Sequence, residues 1–251
     1  MKRRRAQSEL FAGEDAVIAD RRDGKRPVVG EVERALRRDG LWPVVGTDEV
    51  GRGPLFGAVV AAAVCLRDGA KLPGIDDSKK LSEASREALV PQIHAAALAY
   101  AVVEADPERI ARDNILGASM WAMRQAVEQV LAQLAAAGEV MPALVLVDGN
   151  RPIPGLAHAQ RTYVGGDGRS RAIAAASVLA KVHRDAAMVA LDAVYPGYGL
   201  ARHKGYPTRE HMAALVALGP TPLHRRGFAP VDAAIARTQS VRALENLDAR
   251  R

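Results

Sequence analysis

The sequence predicts an α/β domain, and three observations carry that expectation. Short, largely apolar runs at 44–47, 56–66, 98–103 and 143–147 read as strands, and 158–164 reads as a fifth. Between the third and fourth runs, and again after the fifth, apolar residues recur at helical spacing. Two of the runs end in acid beside glycine: Asp48-Glu49 ahead of Gly51-Arg52-Gly53, and Asp148 ahead of Gly149. In open α/β sheets, ligand sites gather at the carboxyl ends of strands.

Composition narrows the classes. Of 251 residues, 49% are hydrophobic and 25% charged, as expected of a globular domain. No apolar run approaches the roughly 18–20 residues of a membrane span. The basic start Met1-Lys2-Arg3-Arg4-Arg5 is not followed by the apolar core of a secretory signal, so a cytoplasmic setting is expected. A lone Cys65, inside an apolar run, excludes an intrachain disulfide framework and reads as a small core residue. The six histidines are scattered without zinc-like spacing. The net charge of +6 is uneven: 11 basic and 8 acidic residues up to Pro43, 15 and 17 through the centre, 9 and 4 from Pro196 onward. An acidic centre between basic ends suits a metal site serving a polyanion, although a solvated basic surface has the same composition.

Taken in order, residues 1–40 form a charged N-terminal extension, partly disordered or loosely packed, with a short helix at 30–38. The core starts near Trp42. The strand at 44–47 should pair as a hairpin with that at 56–66. Strand residues alternate faces, so Asp48 and Glu49 converge on one site only if the strand ends or bends there. Such a pair suits a hard divalent cation, and Gly-Arg-Gly beside it suits a phosphate; a polar turn capped by an arginine is the simpler alternative. Ser82 can cap a helix from Glu83, which Pro91 should kink or restart. Asp106-Pro107 opens another helix. After Asn114, Leu116, Met120, Met123, Val127, Val130 and Leu134 mark one buried face. Gly165-Gly166-Asp167-Gly168 adds a fourth acid in a loop. A helix at 170–191 should bury Leu179, Val182, Ala186 and Val189, leaving Lys181, Arg184 and Asp185 solvated or ion-paired. Residues 198–207 mix tyrosine with cations, so Tyr206 either stacks on a base or sugar or packs on the domain rim. Thr208 caps a helix that Gly219-Pro220 stops, and His224-Arg225-Arg226 forms a second basic cluster.

The combination resembles bacterial ribonuclease HII. The stretches that carry the likeness are Asp48-Glu49-Val50-Gly51-Arg52-Gly53-Pro54, Asp77-Ser78-Lys79-Lys80-Leu81-Ser82-Glu83, Val147-Asp148-Gly149-Asn150, Ala175-Ala176-Ser177-Val178-Leu179-Ala180-Lys181-Val182 with Arg184-Asp185, His203-Lys204-Gly205-Tyr206-Pro207-Thr208 and His224-Arg225-Arg226. They follow one another in family order.

The resemblance implies a ribonuclease H-like fold: a central mixed five-stranded sheet flanked by helices, in a catalytic core at 41–195, plus a basic helical C-terminal segment at 196–251 that helps bind substrate. It implies a monomeric endoribonuclease acting on RNA–DNA hybrids and on single ribonucleotides in duplex DNA, with Mn²⁺ or Mg²⁺. Asp48, Glu49, Asp148 and Asp167 would hold the metal and carry catalysis. Gly51, Arg52, Gly53 and Tyr206 would bind substrate. The family has Lys-Gly-Asp where this chain has Gly165-Gly166-Asp167, which removes a positive charge beside the fourth acid and leaves Asp185 as the alternative for that role. A ribonuclease HIII-like nuclease, another nuclease of the same superfamily and a non-catalytic basic nucleic-acid-binding protein are the competing readings. The Gly51-Arg52-Gly53-Pro54 turn argues against the first. The Tyr206 loop argues against the second. The third would leave an acidic cluster repelling the phosphate it is meant to bind.

Overall fold

The computed structural model describes residues 28–248; the expectations for residues 1–27 lie outside them. Five strands form one mixed sheet in the order β3-β2-β1-β4-β5. They are β1 (Val44–Val50), β2 (Val59–Leu66), β3 (Ala97–Ala105), β4 (Leu144–Asp148) and β5 (Gln160–Tyr163). β1, β4 and β5 run parallel. The helices are α1 (Glu31–Arg38), α2 (Glu83–Ala96), α3 (Pro107–Ala136), α4 (Arg171–Val194), α5 (Leu200–His203), α6 (Arg209–Leu218) and α7 (Ala229–Asp248). None is long and apolar enough to cross a membrane.

β2 is buried at every position, and β4 everywhere but its last residue, so both read as unbroken apolar runs. Ser82 and Thr208 cap α2 and α6 as expected, accepting from the N–H of Ser85 and His211. Pro91 does not interrupt α2: the helix continues through it, and the burial of Leu89 and Ile93 on either side outweighs the lost hydrogen bond. α3 holds a break at Asn114 (φ 57, ψ 172), whose Oδ1 accepts from the N–H of Leu116 and Gly117. Asn114 is therefore the N-cap of the strongly periodic segment that follows it.

Packing divides the described chain into two compact units. One comprises 28–49, 61–103 and 123–180; the other comprises 50–60, 104–122 and 181–248. In the first, α1 places Val32 and Leu36 in a cluster with Val44, Leu144, Leu146, Tyr163 and Ile173. The core therefore takes in chain that precedes Trp42. Glu33 of α1 is buried, and its Oε1 accepts from Ser170 Oγ (2.7 Å) and from the N–H of Ala172 (3.0 Å) at the start of α4. Gly46 of β1 lies against that helix: a Cβ there would stand 2.2 Å from the Ala172 carbonyl carbon and 2.3 Å from the Ile173 nitrogen. Backbone cannot give way as a side-chain tip can, so Gly46→Ala should cost about 3 kcal/mol, a Tm loss of roughly 6–12 °C. A thermal melt matching the parent would refute this account of the contact.

In the second unit, Leu55, Leu215, Val231 and Ala234 form one apolar cluster. Phe56, Met188, Tyr198 and Leu200 form another. The buried stripe of α4 departs from its apolar periodicity here. Val189 is 49% exposed and Ala186 is exposed, whereas Arg184, Asp185 and Met188 are buried.

Candidate active site

The parallel strands set the site. Thr47 is level with Val147, so Asp48 and Asp148 follow at one height on neighbouring strands, roughly 4.8 Å apart along the hydrogen-bonding direction. Asp148 is in turn level with Tyr163, and the chain leaving Tyr163 turns through Gly165 into the short 3₁₀ turn that holds Asp167. Asp48 and Asp167 are buried and Asp148 is half-buried. β1 continues to Val50, three residues beyond the expected strand end, so Glu49 lies within the strand next to Asp48. The Glu49 N–H donates to Asp48 Oδ1 (2.7 Å).

The electrostatics tie these acids together. Burial, then the charges of Asp148, Glu49 and Asp167, hold the Asp48 carboxyl well above its usual pKa, with a hydrogen bond from Ser177 opposing them. The Ser177 and Ser78 hydroxyls are 2.9 Å apart. With the Ser177 proton directed to a carboxylate, Ser78 is the donor between the two. Burial also raises Asp148, against the amides of Gly166, Gly149 and Asp167 and the charge of Lys79. The Gly166 N–H lies 2.7 Å from Asp148 Oδ1. The fit is close: a Cβ at 166 would come 2.6 Å from Ile173 Cδ1, which would have to shift, and 3.1 Å from that same oxygen. Asp167 is pushed up to about 6 by burial and then by Asp148 and Asp77.

A cation does stand beside the fourth acid, contrary to the expectation drawn from Gly165: Lys79 Nζ is 4.0 Å from Asp167 Oδ2. It comes from the 76–81 loop rather than from the residue before Gly166. Burial alone would lower the Lys79 pKa, but Asp167, Asp77, Asp48 and Asp148 together raise it. Asp185 belongs to the second unit and pairs there with Lys181 at 2.7 Å.

The glycine turn that follows Glu49 in sequence is built by two arginines. Arg184 and Arg225 are 1% and 0% exposed, so Arg184 is not solvated and Arg225 lies buried rather than on a basic surface. Arg184 donates to the carbonyls of Ala58 (3.2 Å), Lys204 (2.9 Å) and Phe56 (3.1 Å). Arg225 donates to those of Gly57 (2.7 Å), Arg52 (3.3 Å), Pro54 (2.8 Å) and Ala58 (2.9 Å). Gly51 has φ +91, and a Cβ on it would meet Arg184 Nε at 2.2 Å, so this glycine is required twice over. Arg52 and Gly53 are exposed. A Cβ at Gly53 would lie 3.4 Å from Tyr206 Cε1, so the fold brings these two expected substrate contacts together, with Tyr206 41% exposed. Ser177, Ser78, Lys79, Arg184 and Arg225 all lie in the stretches that carry the family likeness, but residue type alone indicated no role for any of them.

Chemically, the acid group offers only hard oxygen donors, buried, mutually repelling and short of counter-charge, and this suits divalent cations. Among the described residues no three His, Cys, Asp or Glu side chains already close around a single point; the acids share a field rather than a finished cage. A mixed sheet with carboxylates at the ends of parallel strands fits a phosphodiester hydrolase of the ribonuclease H-like class. Residues 45–231 match the ribonuclease HII family, and the chain belongs to it. It is accordingly a metal-dependent enzyme with ribonuclease H activity, from a family that acts on RNA–DNA hybrids. Among solved structures it is similar to ribonuclease H2 of Pyrococcus horikoshii (TM-score 0.63, 22% identity, covering 78% of this chain and 98% of that one). It is similar also to the ribonuclease HII of Archaeoglobus fulgidus solved with PCNA (0.61, 22%, 76% and 96%). A third is Bst-RNase HIII in complex with Mn²⁺ (0.62, 19%, 92% and 80%). At these identities the three structures speak for the fold.

Proposed function

We propose that the enzyme cleaves the RNA strand of RNA–DNA hybrids and incises on the 5′ side of single ribonucleotides in duplex DNA, leaving 3′-hydroxyl and 5′-phosphate ends. The observation that carries this is the shared field of Asp48, Asp148 and Asp167 at the carboxyl ends of β1, β4 and β5. With Glu49 they would hold Mg²⁺ or Mn²⁺, which when bound supplies an activated water and stabilises the leaving oxygen. The Mn²⁺ complex of Bst-RNase HIII supports that choice of ions.

The chain's own residues have separate tasks. Ser78 and Ser177 orient Asp48 through their hydroxyls. The Gly166 amide holds one oxygen of Asp148. Lys79, largely exposed beside Asp167, is a cation within reach of a phosphate oxygen. Arg52 and the Gly51 and Gly53 backbone read the ribose 2′-hydroxyl, the one group that distinguishes RNA from DNA at a single position. Tyr206 offers a ring at the junction.

The test is cleavage of a DNA duplex with one embedded ribonucleotide, with Mg²⁺, with Mn²⁺ and with chelator. Incision 5′ to the ribonucleotide that chelator abolishes is the expected result. Cleavage of long hybrids alone would remove the junction-reading role of Arg52 and Tyr206. Because Asp167 must lose its proton to bind a cation, metal affinity should weaken by up to about tenfold per pH unit below about 6. Calorimetric titration of Mn²⁺ between pH 5 and 7.5 checks this, and a pH-independent affinity would rule it out. Asp167→Asn should lose most activity, by about a hundredfold or more, while Asp185→Asn keeps it; the reverse result would move the fourth ligand.

A further inference from the structure

Three of the histidines converge in the second unit. His211 and His224 are 0% and 3% exposed, and the His203 ring stacks on His211 at 4.6 Å. Their protons are assigned by the backbone. The Thr221 N–H donates to His224 Nδ1 (2.9 Å), so the proton of a neutral His224 must sit on Nε2. That Nε2 faces His211 Nε2 at 3.3 Å, which must therefore accept. The His211 proton then sits on Nδ1, which donates to the carbonyl of Tyr206 (3.0 Å). Separately, the Gly205 N–H donates to His203 Nδ1 (3.2 Å), and His203 Nε2–H donates to the Tyr198 carbonyl (2.7 Å). Each ring is left with one neutral tautomer.

The loop they hold needs external support. Lys204 and Gly205 both have positive φ (51 and 81), a costly choice for lysine, and they lead directly into Tyr206-Pro207. We propose that His224 and His211 form a tautomer-locked relay, with His203 beside it, that positions the Tyr206 loop for nucleic-acid binding; His211 is thus a positioning residue. This rests on the reading of Tyr206 as a substrate contact. The relay runs only with neutral rings: a proton added to His211 would set two N–H donors against each other across 3.3 Å, and one added to His224 Nδ1 would face the Thr221 N–H at 2.9 Å. Around the pair stand Phe56 and Tyr198 against His224, and Tyr198 and His203 against His211. Arg225 follows His224 in the chain, and its guanidinium is engaged with main-chain carbonyls. Burial favours neutrality: desolvation lowers the pKa of both rings, that of His224 to about 4, with His211 adding to it.

The test has two parts. In the wild-type protein at pH 7.5, nitrogen-detected NMR of labelled histidine should find His211 protonated at Nδ1 and His224 at Nε2; the opposite tautomer at either overturns the relay. In kinetics on the single-ribonucleotide duplex, His211→Asn places an amide donor where Nδ1 stood, whereas His211→Leu removes it. The leucine variant should raise KM about tenfold, the equivalent of one hydrogen bond, with kcat little changed. The asparagine variant should recover most of that loss. Equal KM rises in both would refute positioning through the Tyr206 carbonyl. Should the leucine variant fail to fold, His211→Gln, which keeps reach to His224 but loses the donor to Tyr206, replaces it in the comparison. Tyr206→Ala is measured in parallel: an unchanged KM there would overturn the substrate role of Tyr206, while the NMR result still decides the relay.

Discussion

Asp48→Asn should abolish cleavage and, in chelator, raise the melting temperature. With Asp48 holding the cations as proposed, loss of activity by about a thousandfold or more is expected. The gain in stability follows from the field. Burial and three neighbouring acids raise the Asp48 pKa in the folded protein, so its ionised form is disfavoured there and not in the unfolded chain. A raised pKa contributes stability that is present below the unfolded value and lost as pH rises through the folded one. The neutral amide escapes that loss and still accepts from the Glu49 N–H. The advantage of the variant should therefore be small near pH 4 and grow toward pH 8. Added Mn²⁺ should reverse the order, because the wild type, with its fourth carboxylate, gains more from binding it. Melts at three pH values with and without metal decide the matter. A variant less stable than wild type in chelator at pH 8 would mean that the hydrogen bond from Ser177 outweighs the repulsion.

Arg225→Lys should be the more damaging of the two changes to the fold, although it conserves charge. The guanidinium reaches four carbonyls of the 52–58 turn from one buried position. An ammonium has three donors and no planar fork, so at least one carbonyl is left unsatisfied. At about 1–3 kcal/mol per buried unpaired group, plus the desolvation of a more strongly hydrated cation, the cost is about 3–5 kcal/mol, or roughly 10 °C in Tm. Burial already drags the Arg225 pKa down to about 9, with Arg184 adding repulsion, so a lysine there would shed its proton more readily still. Calorimetry would show it, and a Tm within about 2 °C of wild type would mean that water replaces the lost donors. Binding of the single-ribonucleotide duplex should weaken as well, because the supported turn presents Arg52 and Gly53.

These two residues mark the boundary of what was legible in the chain. The sequence by itself determined the α/β class, since period-2 and period-3.6 patterns record which face of an element is buried. It placed Asp148 at a strand end, although β1 runs on past Asp48 to Val50, and it gave the caps at Ser82 and Thr208 and the order of motifs that marks the family. The break at Asn114 was foreshadowed by where strong periodicity begins.

Only the tertiary structure decided how polar groups pair over long separations. The parallel register of β1 and β4 levels two acids a hundred residues apart. A loop far upstream of Asp167 brings Lys79 beside it. Arg225 finds the carbonyl of Arg52 across 173 residues, and Arg184 finds that of Phe56 across 128. Histidines that look scattered in the chain stack into one relay. A hydrophobic pattern carries no record of such partners, because the carbonyls that accept these bonds are the same at every residue and become specific only when the fold places them.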